Sequence, residues 1–180
     1  MILFSYATDN RGPYPDGASS TEVFQKLIDE GYCTDPGIFY LPMSGKTKAL
    51  PGQRLKPENV CFDITGGATT SDSDFLPIVF TTGCKVNYAP GSAAVLLSKH
   101  EPQYITWPRT WKEWWQGQYV KRTLIPFQVT VTYANNYNSS KAFEVLDPNS
   151  SNVTIPNFIP VGFDPKGKIY RQLTPEGVLQ

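Results

Sequence analysis

Proline and glycine punctuate this chain from end to end, sixteen of the one and fourteen of the other in 180 residues. Proline removes a backbone N–H and glycine loosens the backbone, so neither sustains a long helix, while aromatics at 13% of the chain favour pleated, half-buried surfaces. Many short strands joined by turns, in an α+β or mainly β domain, are expected. The length suits one domain with a sizeable core and would crowd two. A single unit over 1–180 follows.

Charge and cysteine content narrow the function. Lys plus Arg and Asp plus Glu both number 16, so no net field favours nucleic acid or an anionic membrane surface. Three cysteines, Cys33, Cys61 and Cys84, allow at most one intrachain bridge and lack the paired spacing of zinc or redox sites. No stretch reaches the roughly 18 apolar residues of a membrane span, and no signal-peptide pattern opens the chain, which as given reads as soluble.

The first residues are apolar, and the polar run Thr8-Asp9-Asn10-Arg11-Gly12-Pro13 stops any helix there. Ser19-Ser20-Thr21-Glu22 is a capping box, Val23, Phe24, Leu27 and Ile28 share one face, and Gly31 supplies a left-handed cap, which predicts a helix over about 20–30. Residues 42–59 read as a surface loop. Strands are expected at 60–64, 76–81, 85–88 and 93–97, as an antiparallel meander. A short helix is expected within 106–118. Clean alternation over 127–133 predicts a strand, paired with 141–146 across a turn at 135–140. The tail from 147 to 180 is expected to wrap the domain as irregular structure.

The opening run Tyr6-Ala7-Thr8-Asp9-Asn10-Arg11-Gly12-Pro13-Tyr14-Pro15 resembles the join between long helix and head in pseudopilins of type II secretion systems. The likeness continues through Ser19-Ser20-Thr21-Glu22-Val23-Phe24 into Asp35-Pro36-Gly37-Ile38-Phe39-Tyr40. Val129-Thr130-Val131-Thr132-Tyr133 with Lys141-Ala142-Phe143-Glu144-Val145 is similar to the late hairpin of related type IV pilin-like proteins. The resemblance implies an α+β, pilin-like head: a helix stump at 2–10, the end of a long N-terminal helix, packed on an antiparallel sheet with long irregular loops and tail. Residues 99–126 then read as a tryptophan-rich insertion. It also implies a non-catalytic structural subunit of a periplasmic filament. Its precursor would be anchored in the inner membrane, its head would face the periplasm, and its partners would be other pseudopilins and secretion-machinery proteins.

Several residues invite sharper readings. Asp63, Asp72 and Asp74 gather carboxylates near Gly66-Gly67, and calcium, the one candidate cofactor, favours such oxygen ligands, although the spacing is not that of an EF-hand. The alternative is a loop whose Asp and Ser side chains bond neighbouring N–H groups. Trp107, Trp111, Trp114 and Trp115 form either a local core under the loops or a partner-binding surface, which could stack on sugar rings in a periplasmic or cell-surface carbohydrate-binding module. Gly45-Lys46-Thr47 lacks the first glycine of a phosphate-binding loop, since Tyr40 stands there. His100 has no nucleophile or zinc motif nearby, so a small hydrolase using His100 or Asp74 finds little support, and no enzyme is expected.

Overall fold

The computed structural model describes residues 2–97, 103–107, 120–124, 129–134, 138–141 and 154–179. Two α-helices lie within them. Helix α1 (Ile2–Asp9) buries Leu3, Tyr6 and Ala7 and closes where the N–H of Gly12 reaches the Ala7 carbonyl at 2.8 Å, with Arg11 left-handed at φ 63°. Helix α2 (Ser20–Asp29) begins where the Ser19 hydroxyl accepts the N–H of Glu22 at 3.1 Å. The Glu22 carboxylate reaches back to the N–H of Ala18 at 2.8 Å, one residue beyond the expected capping box. Its far end is sealed by Gly31 at φ 82°, whose N–H bonds Ile28 while the N–H of Tyr32 bonds Leu27, satisfying carbonyls the last turn leaves open.

Among the described residues the largest sheet has six antiparallel strands in the order β11-β10-β1-β2-β7-β8. These are β1 (Phe62–Gly66), β2 (Pro77–Thr81), β7 (Val129–Tyr133), β8 (Asn138–Lys141), β10 (Arg171–Leu173) and β11 (Val178–Leu179). A smaller sheet joins β3 (Cys84–Val86), β4 (Ala94–Leu96) and β9 (Thr154–Ile155) in that order. Strands β5 (Gln103–Trp107) and β6 (Val120–Leu124) pair with each other as a separate ribbon. The molecule is thus α+β, with the four early strands near their expected positions. They do not form one meander, however: at Gly83, φ 106°, the chain leaves the large sheet and β3 and β4 start the small one.

Pairing places Thr65 opposite Gln172 and Ile64 opposite Leu173, so Asp63, Thr65 and Gln172 share one face of the large sheet. The small sheet covers that face, tied to it by the Tyr88–Thr65 hydroxyl pair at 2.8 Å and by Gln172. Helix α2 packs on β1 and is anchored at its start, where Ser20 N–H bonds the Thr174 carbonyl and the Thr21 hydroxyl bonds the Pro175 carbonyl. Phe24 stacks on Phe39 with ring centroids 4.2 Å apart.

Three expectations need correction. The partner of β7 is residues 138–141 rather than 141–146, with Thr132 opposite Asn138, so Asn138, Ser139 and Ser140 extend an edge strand where a turn was expected; residues 142–146 lie outside the described residues. Thr106 and Trp107 are strand, not helix, because Lys121 and Val120 pair with them; 108–118 lies outside the described residues. The tail is not irregular throughout: β10 and β11 complete the large sheet beside β1. Loop 42–59 is at the surface but firmly packed, with Ala49, Leu55 and Asn59 buried and Leu55 N–H held by the Gln25 side chain at 2.7 Å. Among the described residues no helix is long and apolar enough to cross a membrane.

Candidate functional site

Where the two sheets meet, a buried polar cluster lies beside an open groove of about 390 Å³. Lys85, Tyr88, Lys168, Ile169, Tyr170 and Arg171 contribute to the groove wall. The rim cations of β10 and the loop before it are engaged. Lys168 bonds the Asp72 carboxylate at 2.5 Å and the Thr69 hydroxyl at 3.2 Å, and Arg171 bonds Asp16 at 2.5 Å. Tyr170 is buried, and burial first, then the charge of Asp72 and hydrogen bonding with it, push that phenol up to about 12.

The cluster centres on Asp63, which is fully buried in β1. One carboxyl oxygen accepts from the Gln172 amide at 2.7 Å, and the Thr82 side chain also hydrogen-bonds the carboxyl. The same amide nitrogen donates to the Cys84 carbonyl at 2.7 Å, and the amide oxygen accepts the Val86 N–H at 2.9 Å. Burial pushes the Asp63 carboxyl up to about 7, against the pull of hydrogen bonding from Thr82 and Gln172. The thiol of Cys84 is raised well above its ordinary range, by burial first and by Asp63 second. Tyr88 is raised likewise, chiefly by burial. A thiol kept protonated is a poor nucleophile, and the cluster joins β1, β10 and β3 through one amide.

The residues singled out in the sequence fall elsewhere or apart. Among the described residues no three His, Cys, Asp or Glu side chains are placed to hold a metal, so Asp63, Asp72 and Asp74 are not gathered as the calcium alternative would require. The physical reason is that two of them already have other partners. Asp63 faces Gln172 in the interior, Asp72 is neutralised by Lys168 and accepts the Thr69 N–H at 2.8 Å, and Asp74 is exposed on its loop. Lys46 of the Gly45-Lys46-Thr47 run donates to the Pro57 carbonyl at 2.8 Å, as a strut of loop 42–59. Trp107 stands in β5, while Trp111, Trp114, Trp115 and His100 lie outside the described residues.

Gln172, Cys84 and Tyr88 carried no sequence signal as partners of Asp63. Gln172 is 109 positions from it, and nothing local to either residue marks the pairing. Comparison with known proteins finds no family model, no curated protein and no solved structure that matches this chain.

Proposed function

We propose that this chain is the head of a pseudopilin-like structural subunit, working by assembly with other subunits in a type II secretion filament. The observation that carries this reading is the rigid join between α1 and the large sheet. The run resembling the pseudopilin join turns back on the strand connection that follows β1: Tyr14 N–H bonds the Ala68 carbonyl at 3.0 Å, and Thr70 N–H bonds the Gly12 carbonyl at 2.9 Å. Phe4 on the helix meets Tyr14 edge to face with centroids 5.5 Å apart. Ala7 is fully buried, and Tyr6 rests on Tyr32 beyond α2.

A helix fastened at both its flank and its end transmits force to the sheet instead of swinging on a loop. That is the mechanical property a filament subunit needs when its helix is held in a bundle and its head carries the contacts. The test is the coding sequence upstream of Met1 together with fractionation of its full product. An apolar helix of roughly 20 residues behind a processing site, and a precursor that sediments with membranes, are expected. A gene that encodes no such helix would sink the reading.

A further inference from the structure

Among the described residues strand β3 pairs with a neighbouring strand, β4, on one edge only. On the paired side Lys85 faces Val95 of β4 and the Leu97 N–H reaches the Gly83 carbonyl, so the Cys84 carbonyl and the Val86 N–H point the other way. Gln172 fills that second edge. Its amide donates to Cys84 and accepts from Val86, the pair of bonds that one residue of a neighbouring parallel strand would make around Lys85. The second hydrogen of the same nitrogen goes to Asp63. Both sheets are therefore held through a side chain whose amide oxygen and both amide hydrogens are engaged, and whose orientation is set by a fully buried carboxyl.

We propose that Asp63 and Gln172 form a proton-controlled latch: the neutral Asp63 carboxyl keeps Gln172 seated across the second edge of β3, and its ionisation favours parting of the sheets and baring of that edge. The surroundings make the ionised form costly while the seam is closed. From the β3 side Asp63 faces the Cys84 thiol and the Tyr88 phenol, both held neutral by burial. Between β2 and β3 it meets the Thr82 hydroxyl. The charged groups that act on it are Glu176 and Lys46, which lie 3.9 Å from each other and oppose one another at Asp63. Among the described residues no cation is paired with the carboxyl, whose hydrogen-bonding partners are Gln172 and Thr82.

Opening hydrates the carboxyl and returns it towards its ordinary value of 3.8, whereas closed it titrates at about 7. One proton is thus linked to opening, which grows about tenfold per pH unit between these values and levels off above them. An open seam presents the Cys84 carbonyl and Val86 N–H as an unpaired strand edge, the feature that recruits another strand.

Native-state amide hydrogen exchange on the 180-residue protein reads this directly, with the Val86 N–H as reporter and rates corrected for intrinsic chemistry. Its protection should fall about tenfold per pH unit from pH 5 to 7 and then flatten. At each pH it should also stay below that of the Leu27 amide in α2. In Asp63→Asn, which keeps the shape and stays neutral, the slope should vanish. Equal protection at Val86 and Leu27, or the same slope in both proteins, overturns the latch. Should Asp63→Asn fail to fold, ¹³C titration of the wild-type Asp63 carboxyl decides: a midpoint near 7 supports the latch and one near 4 overturns it.

Discussion

Tyr133 donates its buried hydroxyl to the backbone carbonyl of Phe158 at 2.7 Å, fastening the end of β7 to the segment that follows β9. The Phe158 ring is fully buried and meets Phe80 edge to face at 5.5 Å, so this bond sits at the centre of the packing between the two sheets. Tyr133→Phe removes the donor and keeps the ring. We expect a loss of about 1–2 kcal/mol with an unchanged denaturant slope, read by urea unfolding.

The start of α2 tests capping separately from packing. Ser19→Ala deletes the acceptor for the Glu22 N–H without touching the core, and should cost about 1 kcal/mol. Leu27→Ala on the same helix empties a fully buried site and should cost about 2–5 kcal/mol. Thermal unfolding of both variants ranks them, and a smaller effect at Leu27 than at Ser19 would contradict the burial described above.

Asp63 sets a direction for the pH dependence of global stability. Its carboxyl titrates at about 7 when folded and at 3.8 when exposed, so the folded state binds the extra proton between those values. Its contribution is therefore complete below pH 4, declines as pH rises, and is gone above 7. The full span corresponds to about 4 kcal/mol as an upper figure. Urea unfolding of wild type and Asp63→Asn across pH 4–8 should give curves that diverge within that window. This is opposite in sign to the usual behaviour of a salt-bridged aspartate.

All three cysteines are free and buried. Burial pushes the thiols of Cys61 and Cys84 up, which leaves little thiolate at neutral pH. A thiol reagent should count three groups in denaturant and label the native protein slowly, at the pace of its opening. Fewer than three groups in denaturant, without reductant, would show a disulfide where the fold places none.

What the sequence made legible was whatever is encoded within a dozen residues. Helix α2 could be read because a cap, a 3.6-residue stripe and a terminal glycine agree on it, and β7 because its alternation is uninterrupted. The return strand β8 was misplaced because Asn138, Ser139 and Ser140 have turn chemistry yet lie on a sheet edge, where polar residues are also at home. Strand β10 has three residues and no periodicity of its own, and its partner β1 is more than a hundred residues earlier. Asp63 was grouped with Asp72 and Asp74 as a loop carboxylate because nothing local to it shows that its face of β1 is covered. Here the second sheet lies over that face.

The order β11-β10-β1-β2 also bears on how the protein is made. Synthesis runs from β1 towards β10, and the 109 positions from Asp63 to Gln172 take roughly 5–20 s to translate. For that interval the nascent chain can pair β1 with β2 but not with β10, and Asp63 meets solvent without its amide partner. A carboxyl that titrates normally in the emerging chain is charged at neutral pH. The strand destined for the middle of the sheet thus leaves the ribosome bearing a negative charge, the kind of charge that disfavours edge-to-edge pairing between nascent chains, and at neutral pH it is lost only in part once Gln172 arrives.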